Sequence, residues 1–104
     1  MNPGDSVVYM INRDEQDAVV LGSYQNEFWI FVFTEKLVVR SHINHVKALN
    51  GKVYVFNGTW STPVDQVLSD FSTGNRTLFH ACRDEAELKR MNDRLNMYVR
   101  LLLC

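Results

Sequence analysis

Six consecutive apolar residues, Phe28-Trp29-Ile30-Phe31-Val32-Phe33, constrain this chain more than any other segment. They are far short of the ~20 residues of a membrane-spanning helix but long enough for a strand. Strands alternate side chains between faces, so Phe28, Ile30 and Val32 take one face and Trp29, Phe31 and Phe33 the other. A sheet with one wet face would alternate apolar with polar residues, and this run does not. Val53 and Val55 oppose Tyr54 and Phe56 in the same way, and Val7, Tyr9 and Ile11 oppose Val8 and Met10. Strands apolar on both faces predict a sheet covered on both faces. Three covers are open: two helices with one on each face, a curl into a small barrel walled by a helix or partner, or a second copy of the chain.

The flanking sequence predicts an α+β order. Strands are expected over residues 6–12, 18–24, 28–33 and 37–41, joined by short polar turns, which is a β-meander. Residues 13–17 are read as a polar turn. Asn50-Gly51 introduces a fifth strand over 52–56, and Asn-Gly favours the positive φ of a tight turn. Thr62 and Pro63 read as the cap and first residue of a short helix. Its apolar face is Val64, Val67, Leu68 and Phe71, at helical spacing. A sixth strand is expected over 76–82. Asp84-x-x-Glu87 resembles a capping box and opens a long C-terminal helix to about Leu102. Its stripe is Leu88, Met91, Leu95, Tyr98 and Leu102. With no linker or repeat, residues 1–104 are expected to form one domain, a sheet of about six strands with both helices packed on it.

The opening Asn2-Pro3-Gly4-Asp5-Ser6-Val7-Val8-Tyr9, with Val19-Val20-Leu21-Gly22 and Leu37-Val38-Val39-Arg40-Ser41, resembles small SH3-like barrels over residues 2–56. In these a Gly-Asp-x-Val strand starts the barrel and a Val-x-Gly turn follows. The resemblance implies a small barrel that binds proteins or nucleic acids. The segment from Pro63 to Leu102 departs from that pattern.

Charge narrows the partners. Eleven basic and twelve acidic side chains give a net charge of -1, so nothing draws the whole chain to nucleic acid or anionic lipid. Residues 1–75 carry five basic and eight acidic side chains, residues 76–104 six and four. Arg76, Arg90, Arg94 and Arg100 form the basic end and are the residues a nucleic-acid-binding reading would use. Asp84, Glu85, Glu87 and Asp93 interleave with them, which reads as a solvated helix face. Nucleic acid is therefore not the expected partner. The start has no basic and apolar leader pattern and no run reaches membrane length, so a cytoplasmic setting with Cys82 and Cys104 reduced is expected.

Catalytic and metal chemistry is thin. His42-x-x-His45 with His80-x-Cys82 is the only grouping with metal-ligand residue types, and two distant ligand pairs are how many zinc sites are built. The spacing matches no finger, and the expectation is no metal and no cofactor. Cys82 beside His80 would be the centre of a thiol enzyme, but a nucleophile needs a base and an orienting group nearby. No phosphate-binding glycine loop is present.

The sequence thus points to a non-catalytic protein-binding module, a small regulatory, inhibitory or accessory protein, that self-associates as a homodimer. The residues expected at the interface are Trp29, Phe31, Trp60, Tyr98, Val99 and Leu103. The last two matter because they widen the apolar stripe of the final helix. The alternatives are a nucleic-acid module on the C-terminal arginines and a small zinc or thiol enzyme around His80 and Cys82.

Overall fold

A computed structural model describes residues 2–58, 60–73 and 84–103. It is α+β: one seven-stranded sheet carrying two helices. The strands are β1 (Ser6–Ile11), β2 (Asp14–Tyr24), β3 (Glu27–Val32), β4 (Leu37–His42), β5 (Val46–Leu49), β6 (Lys52–Val55) and β7 (Trp60–Pro63). The helices are α1 (Val64–Ser72) and α2 (Glu85–Leu103). The order across the sheet is β5-β6-β1-β2-β3-β4-β7. Every neighbouring pair is antiparallel except β1 with β6, which are parallel.

The expected meander of β1 to β4 is present, with one correction. Asp14-Glu15-Gln16-Asp17 is not a turn but the first part of β2, paired with Ile11 back to Val8. The chain reverses at Asn12-Arg13 instead, where Asn12 takes a left-handed φ of 58°, a conformation that asparagine tolerates better than most residues. Asn50 and Gly51 turn with φ of 52° and 77°, as the sequence predicts for this pair. Two strands were not expected. Val46–Leu49 is assigned to no element from the sequence, and Thr62-Pro63 reads there as a helix start. In the structure Thr62 pairs with Val38 and Pro63 with Leu37. Pro63 is tolerated because β7 ends the sheet and no further strand needs its missing donor. Helix α1 starts one residue later, where the Val64 amide donates to the Lys36 carbonyl at 2.9 Å. The strand expected over 76–82 lies outside the described residues.

The sheet is strongly curled. One 3₁₀ turn, Ile43–His45, joins β4 to β5, which are the sixth and first strands in the order. In a flat sheet at about 4.8 Å per strand these would lie roughly 24 Å apart. The four steps from His42 to Val46 reach about 14 Å even fully extended. The curl closes that gap and packs the inner face on itself. Val7, Val20, Ile30, Val32, Val39 and Val55 form one buried cluster drawn from five strands. Gly58 lies in this contact, since a Cβ there would sit 2.5 Å from Val39 Cγ1 and 2.7 Å from the Tyr9 hydroxyl. Among the described residues the strand pairs run from β5 to β7 and do not join these two ends, so the hydrogen-bonded ladder is open where the SH3-like resemblance implied a closed barrel.

The outer face carries the helices. Val19, Leu21, Trp29, Phe31 and Val38 meet Val64 and Val67 of α1 and Leu88, Met91 and Leu95 of α2 in a second buried cluster. Asp84 caps α2, its Oδ1 accepting from the amides of Ala86 at 3.0 Å and Glu87 at 3.3 Å, as expected of an N-cap. A register shift between Val20 and Gly22 marks a β-bulge. It turns Leu21 and Gly22 both toward α2, Leu21 into the cluster and Gly22 against Met91 and Glu87. A Cβ on Gly22 would lie 2.6 Å from Met91 Cγ, so the helix seats this close only over a glycine.

Gly22→Ala should therefore cost about 1–3 kcal/mol, the range for overpacking, by forcing α2 away from β2. The measurement is urea unfolding beside Ser23→Ala, an exposed neighbour expected to change stability by less than about 0.5 kcal/mol. Equal midpoints for the two variants would show that α2 does not need this close approach.

Candidate functional site

The two helices do not cover the whole outer face. Helix α2 packs on β2, and α1 on β4 and β7. None of the outer-face residues of β1, β5 and β6 belongs to the helix-packed cluster. These three strands form an open wing. Pairing fixes its layout: Lys47 lies beside Tyr54, Tyr54 beside Val8, and Val8 beside Asp17. Met10 lies beside Glu15, and Leu49 beside Lys52. Apolar side chains lie on all three strands of the wing or at their ends. Leu49 is 50% exposed and Phe56 37%, with Tyr54 and Met10 half-buried. The Tyr54 and Phe56 rings stack with centroids 6.3 Å apart and planes at 27°. Lys47 lies on the outermost strand β5 and Lys52 on β6 inside Leu49, while Glu15 and Asp17 stand on β2, the side nearest α2; all four are exposed.

The interface residues expected from sequence sit elsewhere. Trp29 and Phe31 have no exposed surface; they are covered by the chain's own helices and do not reach an interface. Trp60 is half-buried against the same cluster, with the Arg40 guanidinium 5.7 Å from its ring centre. Tyr98 and Val99 also pack on that cluster, Tyr98 edge-on to Phe33 at 6.2 Å. The side chain of Leu103 lies outside the described residues. Sequence periodicity cannot separate β3 from β6, since both are apolar on both sides. Only the helices' placement over β2–β4 makes one core and leaves the other open. The surplus of two-sided strands over helices was the signal that some strand would be left bare.

The arginines are divided in the same way. Arg94, 25% exposed along its side chain, donates to the Leu21 carbonyl at 2.6 Å and to Glu87 Oε1 at 3.0 Å. The bulge takes Leu21 out of the regular ladder, and Arg94 supplies its carbonyl with a donor. Glu87, expected to complete a capping box with Asp84, instead binds Arg94 and Arg90, the latter at 2.9 Å. Arg90 and Arg94 thus share one carboxylate, which offsets one of their two charges, and Arg94 is part of the α2 seat. Arg100 is exposed in an open groove with Asp93, Asn96, Met97 and Leu101. Arg76 lies outside the described residues.

Of the metal-like set, His80 and Cys82 lie outside the described residues. His42 and His45 come together, with ring centroids 6.3 Å apart. His42 Nδ1 accepts from the Asn44 amide at 3.1 Å and caps the 3₁₀ turn, which gives this histidine a structural role. Among the described residues no three His, Cys, Asp or Glu side chains are grouped to hold a metal, and no helix is long and apolar enough to cross a membrane. No family model, curated protein or solved structure matches this chain.

Removing Arg94 tests its structural role. Arg94→Ala leaves the Leu21 carbonyl and Glu87 short of a partly buried donor and should cost about 1–3 kcal/mol. Arg94→Lys should recover only part of that, because one ammonium does not reproduce the fork of donors. Wild-type stability in the alanine variant, read by thermal melting, would return Arg94 to the surface arginines.

Proposed function

We propose that this chain is a non-catalytic protein-binding module that works by occupying a partner's surface, in the manner of a small regulator or inhibitor, and that it self-associates. The observation that carries the reading is the open wing. A stacked aromatic pair, an exposed leucine and a half-buried methionine lie together on a sheet face that no described helix packs on. Contiguous apolar surface bordered by charge is characteristic of protein-interaction sites. Aromatic side chains and methionine are also enriched at such interfaces, where they bring large contact area.

The wing also supplies a driving force. Each Å² of apolar surface removed from water contributes roughly 25 cal/mol. A few hundred Å² on each partner would contribute several kcal/mol before the entropic cost of association. The mixed charges set orientation more than affinity, as charges at the rim of an interface do.

In light scattering at tens of micromolar the chain is expected to run at about twice its 12.1 kDa mass. Tyr54→Asp should return it to the single-chain mass with an unchanged far-UV spectrum. A 12.1 kDa wild-type species would remove self-association from the proposal. A dimer indifferent to Tyr54→Asp would keep the association and displace it from the wing.

A further inference from the structure

We propose that Asn50 is a site of spontaneous modification. Without an enzyme it loses its side-chain amide through attack by the Gly51 nitrogen and becomes aspartate or isoaspartate, while the second Asn-Gly pair, Asn57-Gly58, is protected by the fold. This does not depend on what occupies the wing.

The reaction needs only water. The Gly51 backbone nitrogen gives its proton to water or hydroxide and attacks Asn50 Cγ. A new N–C bond closes a five-membered imide ring, the Cγ–Nδ2 bond breaks, and Nδ2 leaves as ammonia. Water then opens the ring. Cleavage between the nitrogen and Cγ leaves aspartate. Cleavage between the nitrogen and the Asn50 carbonyl carbon leaves isoaspartate, whose main chain runs through Cβ and Cγ. Nothing is oxidised or reduced. The attack is easiest where the following residue has no side chain and its backbone turns freely, which is what glycine supplies.

The sequence makes the two pairs equal, and the structure separates them. Strand pairing ends at Leu49 opposite Lys52, so Asn50 and Gly51 stand outside the ladder as a two-residue turn. Both are exposed, and their φ of 52° and 77° are those of the tight turn that Asn-Gly favours. Chain neighbours apart, no atom lies within 4 Å of the point where a Cβ would stand on Gly51. Nothing packed against it opposes the swing of its nitrogen toward Cγ. Asn57 is exposed as well, with φ 53°, so its side-chain amide is equally open to water. Its neighbour differs. Gly58 is half-buried, and the same point on it lies 2.5 Å from Val39 Cγ1 and 2.7 Å from the Tyr9 hydroxyl. Turning this peptide into an imide drives it against Val39, which has no exposed surface.

The product changes the tip of the wing. Aspartate adds one negative charge between Leu49 and Lys52, in a chain whose formal net charge is -1, and acts by the same electrostatics as any charge-changing modification. Isoaspartate adds a methylene to the main chain. A two-residue turn between paired residues has no slack to absorb it, and β5 is four residues long with β6 as its one neighbour in the sheet.

Peptide mapping by mass spectrometry follows both pairs in one sample. The intact chain is held at mildly alkaline pH and body temperature, and in parallel in enough guanidinium chloride to unfold it. Exchange of ammonia for water raises a peptide's mass by about one dalton, and enzymatic methylation of isoaspartate identifies the second product. In the folded chain Asn50 should convert at least about 5-fold faster than Asn57, the rate ratio of a barrier difference of about 1 kcal/mol. In the unfolded chain the two rates should come together. Asn50→Gln should abolish the fast conversion and leave that of Asn57 unchanged. A smaller ratio in the folded chain, whether because Asn57 keeps pace or because Asn50 stays unmodified, would overturn the proposal. The same ratio in the unfolded chain would overturn the protection assigned to Gly58.

Discussion

Three residues, Ile43–His45, carry the chain from one side of the sheet to the other, and much of the architecture follows from how short that path is. Strands five places apart in the order meet only if the sheet curls. Once it curls, the inner face is closed by its own valines, phenylalanine and isoleucine, and neither helix is needed there. Both helices are then available for the outer face, where they cover β2, β3, β4 and β7. Seven strands are more than a 9-residue and a 19-residue helix can roof. That no described helix packs on β1, β6 and β5 is thus a consequence of how the inner face was closed.

The seat of α2 shows how tightly that division is fixed. The bulge at Leu21 adds a residue to β2 without adding one to β3, which bends the strand and frees a carbonyl. Gly22 lets the helix approach, and Arg94 answers the carbonyl while holding Glu87. The helix is pinned by a shape constraint and by a charged hydrogen-bond network at the same place. A basic residue serving the backbone in this way carries little field to the outside, because Glu87 lies against it. Of the arginines that suggested nucleic acid, Arg94 is therefore part of the fold's own wiring, whereas Arg90 stays exposed with its guanidinium against Glu87.

Much of this was legible in the sequence where side-chain pattern decides structure. Alternation on residues 28–33 gave a strand buried on both sides, Asn50-Gly51 gave a hairpin, and Asp84 with the Leu88–Met91–Leu95 spacing gave the long helix and its buried face. Where backbone pairing alone decides, pattern is silent. Strand β5 has one half-buried residue and three exposed ones, so it leaves no hydrophobic period to read. Strand β7 ends in Thr62-Pro63, a pair equally suited to a helix cap, and its partner β4 lies some twenty residues earlier in the chain. The candidate site was legible only as a quantity, too many two-sided strands for the helices available. Which strand stays bare depends on sheet order, and that follows from the parallel pairing of β1 with β6, a long-range choice with no local signature.

An apolar wing at the side of a sheet invites two kinds of association, along the backbone edge or across the face. The terminal strands discourage the first. Strand β5 is four residues long and carries Lys47 in its middle, and β7 closes with Pro63, which has no amide to donate. Short, charged or proline-bearing edge strands resist the addition of another strand. The face has the opposite character. It carries Tyr54, Phe56, Met10 and Leu49, with Lys47 and Lys52 set among them and Glu15 and Asp17 along β2. Edge protection of this kind limits open-ended strand addition, and it leaves the face as the surface on which the proposed protein contact depends.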